Sequence, residues 1–268
     1  MLAFPPCKLN LGLHVTHKRM DGYHDIETCF YPVPFTDVLE VVVSDQFAFS
    51  STGVVVPGPV ENNLCVKAFE LLKHDHDLAP VQIHLHKIIP TGAGLGGGSS
   101  DAAYTLRLLN QVFDLNLSLD QLMQYAAKLG SDCAFFIGDK PMIGKGRGEL
   151  LHDINLSLKG KYVVLIKPDL EVSTAAAYAG ITPDTPAMPI AEILTQHPMS
   201  HWKEMLVNDF EVSVFQKFPI LKHIKESLYD AGAVYACMSG SGSTVFGIFD
   251  TAVQPATDYP VMWSGYLQ

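Results

Sequence analysis

The stretch Thr91-Gly-Ala-Gly-Leu-Gly-Gly-Gly-Ser-Ser-Asp101 sets five glycines into seven positions, at 92, 94, 96, 97 and 98, and ends in two hydroxyls and a carboxylate. Each glycine costs roughly 0.5–1 kcal/mol of chain entropy, so five together call for positive φ or for another group to approach bare backbone. Upstream, Val81, Ile83, Leu85 and then Ile88 or Ile89 alternate with Gln82, His84 and His86, the pattern of a half-buried strand. Downstream, Ala102, Leu106, Leu109 and Phe113 recur at helical spacing. The run therefore joins a strand to a helix N-terminus, where free N–H groups and the positive end of the dipole bind anions, most often phosphate. A flexible linker of Gly and Ser would not lead at once into an amphipathic helix.

The two commonest phosphate loops fit poorly. Gly92, Gly94 and Gly97 formally satisfy G-x-G-x-x-G, the dinucleotide fingerprint. That fold wants the turn directly after a strand, with an acidic residue ending the next strand about 20 residues on. Here Pro90 and Thr91 intervene, and Asn116-Leu-Ser-Leu-Asp120 opens a second helix. No lysine follows the glycines as a Walker loop requires.

A phosphate ligand would be repelled by this chain as a whole, because its net charge is −10, from 18 Lys plus Arg against 28 Asp plus Glu. Cations must be gathered locally, and Lys8, Lys18, Arg19, Lys87, Lys145 and Arg147 do lie in or beside the glycine-rich and polar segments. No basic run interleaved with aromatics is present, which argues against a nucleic-acid partner. The five cysteines are odd in number, widely spaced and without C-x-x-C, so reduced thiols are expected rather than a disulfide framework or a zinc knuckle. The start, Met1-Leu-Ala-Phe-Pro-Pro-Cys-Lys8, is too short and too broken by proline for a signal peptide. No apolar run approaches the ~20 residues of a membrane span, so no membrane partner is expected and the cytoplasm follows by default.

The 268 residues suffice for one large domain or two modest ones, and 48% hydrophobic against 17% charged residues describes a globular chain. Strands are expected over 8–15, 26–31, 38–44 and 54–56, then a helix over 64–73. Ser118 with Gln121 forms a capping box for a further helix, which Gly130 closes as a left-handed C-terminal residue. Strands and helices in runs indicate α+β packing and not a doubly wound sheet. After Leu150 the texture changes. A buried strand over 162–166 precedes an Ala-, Pro- and Thr-rich stretch over 168–189, expected to hold short helices and loops. A helix over 220–231 then stops at Gly232, and a hairpin-like pair over 234–238 and 245–249 follows. The domain boundary is placed within 152–160.

Several polar groups each carry two readings. Ser239-Gly-Ser-Gly-Ser243 is a hairpin turn or a second phosphate loop, and two such loops would point to a shared cleft between domains. Asp132 precedes the apolar Cys133-Ala-Phe-Phe-Ile137, as a helix cap or as a general base held in water-poor surroundings. Lys8, Asn10 and Gly12 share the strand face opposite Leu9, Leu11 and Leu13, which is solvent or an active-site wall. Gly144-Lys-Gly-Arg-Gly148 is a basic hairpin tip, or a means of bringing charge close to an anion with little obstruction. Asp21-Gly-Tyr-His24 stacks a base or merely anchors its own turn. His74/His76 and His84/His86 have H-x-H spacing without an evident third ligand, so they read as solvated faces.

Taken together, Pro6-Cys-Lys-Leu-Asn-Leu-Gly-Leu-His-Val15, Lys18-Arg-Met-Asp-Gly-Tyr-His24, the glycine run with Pro90, Gly130-Ser-Asp132, Gly144-Lys-Gly-Arg-Gly-Glu149 and Met238-Ser-Gly-Ser-Gly-Ser243 resemble the GHMP kinase superfamily. The D-G-Y-H turn and the G-K-G-R-G-E segment narrow the resemblance to members whose substrate is a cytidine diphosphate methylerythritol. One departure is Cys7, where the family usually has alanine.

The resemblance implies an α+β, two-domain GHMP kinase fold with the active-site cleft between the domains. Residues 1–155 would be the N-terminal ATP-binding domain and 156–268 the C-terminal domain. It implies transfer of the ATP γ-phosphate to the 2-hydroxyl of the substrate, with Mg²⁺ accompanying ATP and its ligands unassigned. Asp132 would be the catalytic base and Lys8 its partner. Pro90, Gly92, Gly94, Leu95, Gly96, Gly97, Gly98, Ser99 and Ser100 would cradle the ATP phosphates, with Asn63 and Lys87 near the nucleoside. Asn10, Tyr23, His24 and Lys145 would bind the substrate, with Tyr178 as the aromatic that completes the cytosine site. The implied partner is the small-molecule substrate, with the chain a monomer or homodimer.

Overall fold

The computed structural model describes residues 1–268, which divide into two compact units interleaved in sequence. One comprises Met1–Cys7, Phe35–Thr91 and Gly96–Lys140. The other comprises Lys8–Pro34, Gly92–Leu95 and Pro141–Gln268.

The first unit is a four-stranded sheet covered by helices. Strands β1 (Leu2–Ala3), β4 (Val38–Val43), β6 (Val81–Lys87) and β5 (Ala48–Gly53) lie in the order β1-β4-β6-β5. β5 runs parallel to β6, and the crossover between them contains helix α1 (Leu64–Asp75), since parallel neighbours need a long connection. No strand forms over 54–56. β6 ends at Lys87, whose partner is Gly53, so the ladder runs out there and the chain leaves through Pro57 and Gly58. Helix α2 (Gly97–Val112) packs on α1 and against β4. It begins at Gly97, earlier than its apolar spacing from Ala102 implies.

Helix α3 (Leu119–Leu129) carries the capping box of Ser118 and Gln121, both bonds being present. Its stop differs from the expectation. Gly130 is extended, with φ 174°, a conformation open to any residue, and space beside it is tight: a Cβ there would lie 3.2 Å from Cys133 Sγ. The short helix α4 (Phe135–Gly138) follows, with Phe135, Phe136 and Ile137 buried.

The second unit holds two four-stranded sheets. One has the order β2 (Pro6–Lys18), β3 (His24–Thr36), β7 (Met142–Lys145), β8 (Leu150–Asp153). The other has the order β10 (Tyr235–Met238), β11 (Val245–Phe249), β9 (Tyr162–Ile166), β12 (Val261–Tyr266), antiparallel throughout. The stretch over 168–189 contains a single short helix, α5 (Thr174–Ala179). Helices α6 (Ile190–Gln196), α7 (Trp202–Met205), α8 (Phe210–Lys217) and α9 (Pro219–Asp230) complete the unit. Its core joins Leu13, Val15 and Ile26 from the early strands to Val164, Leu221, Ile224 and Met238 from the late part of the chain.

Candidate active site

In the first unit, β6 places Lys87 on the same buried face as Val81, Ile83 and Leu85. An ammonium in that position needs counter-charge, because a buried unpaired charge is strongly unfavourable. Its Nζ bonds the carboxylate of Asp37 and donates to Asp101 Oδ2 at 2.9 Å. The other oxygen of Asp37 accepts from the amides of Ile88 at 2.5 Å and Ile89 at 2.8 Å. Two buried carboxylates thus share one cation. Burial, with a contribution from the charge of Asp37, pushes the Asp101 carboxyl up to about 7. Burial opposes the charge on Lys87, but Asp101 and Asp37 outweigh it and hold the ammonium above its ordinary value.

The glycine run continues from this bridge into α2, whose N-cap is Gly96 with no side-chain cap. The first-turn N–H groups have no intrahelical acceptors, as an anion site requires. A pocket of about 230 Å³ lies beside them, bounded by Asn63, Leu64, Lys87, Thr91, Gly98 and Asp101. Asn63 also caps α1, its side chain accepting from the amide of Cys65 at 2.9 Å. Ser100 Oγ and Asp101 Oδ1 are buried without a protein partner. Asp132 lies in the turn before α4, two residues ahead of the N-cap position, Ala134. Burial pushes the thiols of Cys29, Cys65, Cys133 and Cys237 up, which removes them as nucleophiles at neutral pH.

In the second unit, the face of β2 carrying Lys8, Asn10 and Gly12 is buried, not solvated. Lys8 Nζ donates to Asn10 Oδ1 at 2.5 Å and to the carbonyl of Gly94 at 3.0 Å, and it stands 5.4 Å from the centre of the Phe30 ring. The Lys8 amide donates to the carbonyl of Leu95 at 2.9 Å. Gly94 has φ 77°, and a Cβ on it would lie 2.0 Å from the carbonyl oxygen of Ser239. Ser239 Oγ donates to the Gly94 carbonyl at 2.8 Å. The segment over 239–243 is therefore the turn of the β10–β11 hairpin and is also locked against the apex of the first glycine run. Asn208 holds that turn from behind, its Nδ2 donating at 2.8 Å to the carbonyls of both Met238 and Gly240.

Aromatic and basic groups gather elsewhere in this unit. Asp21 accepts from the Tyr23 amide at 3.1 Å, and Arg19 pairs with Asp21 and Asp25, so the turn has its own anchors. The rings of His24 and Tyr178 stack at 4.8 Å with 15° between their planes. Gly144 to Gly148 forms the tip of the β7–β8 hairpin, and its Gly146 carbonyl accepts from Ile26 at 2.7 Å. Arg147 lies over the exposed Tyr23 ring, 5.1 Å from its centre, while Lys145 is exposed at the strand end.

Lys8, Asn10, Gly94 and Leu95 are brought together in one unit; Asn63, Lys87 and Gly98 border the pocket of the other. Asp37, Asn208 and the stacking of Arg147 on Tyr23 had no signal in the sequence. A carboxylate between two strands and an asparagine after a helix look like ordinary loop residues until their distant partners are known.

A glycine-rich run that opens an uncapped helix start is the kind of backbone that binds phosphate. Residues 63–139 match the family described as GHMP kinases N terminal domain, and residues 191–258 match GHMP kinases C terminal. The chain belongs to the GHMP kinase family, whose members are small-molecule kinases. Within it, the chain is 53% identical over 252 residues to 4-diphosphocytidyl-2-C-methyl-D-erythritol kinase of Cytophaga hutchinsonii, covering 94% of this chain and 93% of the relative. It is 52% identical over 264 residues to the Bacteroides thetaiotaomicron protein of the same name, covering 97% and 96%. The crystal structure of a 4-(cytidine 5'-diphospho)-2C-methyl-D-erythritol kinase superposes with a TM-score of 0.77 at 33% identity, covering 92% of this chain and 90% of that one. Methanococcus jannaschii mevalonate kinase shares the fold, with a TM-score of 0.69 at 14% identity over 93% of this chain and 90% of that one.

Proposed function

We propose that the chain transfers the γ-phosphoryl group of ATP to the 2-hydroxyl of 4-diphosphocytidyl-2-C-methyl-D-erythritol, giving the 2-phosphate and ADP in non-mevalonate isoprenoid precursor biosynthesis. The carrying observation is identity of about half over nearly the whole chain to kinases bearing that substrate's name. Phosphoryl transfer depends on positioning and on neutralising charge spread over the moving group, with no covalent work for the protein. In this reading the backbone amides over 92–100 cradle the triphosphate, and Asn63 and Lys87 border the nucleoside. Asp132 takes the proton of the 2-hydroxyl as general base, and Lys8, steered by Asn10, polarises that hydroxyl. His24 and Tyr178 part to admit the cytosine ring between them, Tyr23 packs beside it, and Lys145 meets the diphosphate of the substrate.

Mg²⁺ bound with ATP neutralises phosphate charge. Ser100 Oγ, a hard-oxygen donor at the start of α2 that is buried and unpartnered, fits such an ion and would help to hold it. The five free, buried cysteines fit action in the reducing cytoplasm, and no helix is long and apolar enough to cross a membrane.

The test is ADP release from Mg-ATP with the cytidine substrate, with mevalonate and homoserine as control acceptors. The expected result is turnover with the cytidine substrate alone. ADP at background level with it, or equal turnover of a control, would refute the assignment.

A further inference from the structure

The Lys8 ammonium is held by Asn10 and the Gly94 carbonyl, and Asn10 is itself held from two sides: Ser239 Oγ lies 3.4 Å from its Oδ1, and at its Nδ2 stands a residue that belongs to neither phosphate loop. Thr28, on β3, is fully buried, and its hydroxyl donates to the carbonyl of Gly12 at 2.5 Å. A threonine hydroxyl has one hydrogen, so with that hydrogen committed its oxygen can only accept. Asn10 Nδ2 donates to it at 3.0 Å. The amide of Asn10 then has one permitted orientation, with its NH₂ towards Thr28 and its Oδ1 towards the Lys8 ammonium at 2.5 Å. The flipped amide would set NH₂ against the ammonium and carbonyl against a hydroxyl with no hydrogen left to give. Gly12 supplies the fixed end of this chain. Its φ is 71°, and a Cβ would lie 2.5 Å from Leu206 Cδ1, so glycine lets the backbone turn its carbonyl to Thr28 at that spot.

We propose that Thr28 is a positioning residue for phosphoryl transfer, which acts through Asn10 to hold the Lys8 ammonium at the Gly94 carbonyl of the glycine-rich loop. The inference rests on the reading of Lys8 as the group that polarises the acceptor hydroxyl. Thr28→Val keeps the shape and removes both hydrogen bonds. A misplacement of about 1 Å can cost about 10²-fold in rate, so kcat is expected to fall by about 10- to 100-fold. KM for ATP should stay within about twofold, since ATP touches neither Thr28 nor Asn10 in this reading. Thr28→Ser, which keeps the hydroxyl, should return kcat to within about threefold of wild type. In an Asn10→Ala background Thr28→Val should have little further effect, because residues acting as one unit are non-additive.

Should Thr28→Val fail to fold by circular dichroism, Thr28→Cys takes its place with the same expectation, since a thiol is close in size and a weak acceptor. Near-wild-type kcat in Thr28→Val, with Lys8→Ala inactive, would overturn the relay and leave the reading of Lys8 intact. Equal losses in Thr28→Ser and Thr28→Val would also overturn it, by assigning the effect to packing. Wild-type turnover in Lys8→Ala would instead refute the role of Lys8 on which the relay depends.

Discussion

At the scale of single residues, two carboxylates of the first unit stand in opposed settings. Asp101 shares a buried ammonium with Asp37, and its carboxyl is raised from 3.8 to about 7 by burial first. Between those values the folded chain holds a proton that the unfolded chain has released. Stability from this group is therefore greatest at low pH and falls as pH rises through that interval. Asp101→Asn keeps an oxygen for Lys87 and removes the titration, so the Tm profile should lose this decline. An unaltered slope in a thermal-melt series would assign the decline to other groups. Asp132, in contrast, is partly accessible. If it is the general base, Asp132→Ala should lose about 10²- to 10⁴-fold in turnover with the Kd for ATP unchanged. Turnover within about threefold of wild type would remove it from the mechanism.

At the scale of elements, the strand, loop and helix around the glycine run are tied together by long-range contacts that local pattern does not reveal. Asp37 clamps the end of β6 through two amides and Lys87, and Lys87 reaches α2 through Asp101. Removing one partner from a buried charge network costs about 3–5 kcal/mol, so Asp37→Ala should lower stability by that order and speed hydrogen exchange at Ile88 and Ile89. Protection unchanged at those amides would show that the clamp does not hold them. At the loop apex, Gly94→Ala puts a methyl 2.0 Å from the Ser239 carbonyl oxygen at φ 77°. Strain of about 1–3 kcal/mol is expected, read as a lowered Tm; an alanine variant as stable as wild type would mean the two turns separate freely. What was legible at this scale was local. The Ser118 and Gln121 box follows from residues three apart, and the β10–β11 hairpin from two apolar runs about a polar turn. Gly130 departs from the left-handed stop that its position suggests, being extended with Cys133 Sγ packed close to it. The strand over 54–56 was misread because β6 ends before it can supply a partner.

At the scale of the whole molecule, residues 8–34 and 92–95 belong with the late part of the chain. Leu13, Val15 and Ile26 complete the core that holds Val164, Leu221 and Met238. A fragment spanning Pro141–Gln268 lacks those side chains and should not unfold cooperatively when expressed alone. A single sharp, reversible melt from that fragment would show that the early strands are dispensable to its core.

The amino-acid sequence by itself determined the α+β class, the glycine run between a strand and a helix, the second polar turn and the family, because each rests on residue types at short, fixed spacings. The tertiary structure alone decided that Lys87 faces the core between two carboxylates, that Gly94 meets Ser239, and that Thr28 sets the amide beside Lys8. Those facts depend on contacts between segments as much as 145 residues apart, and local propensity carries no record of which distant group a side chain will meet.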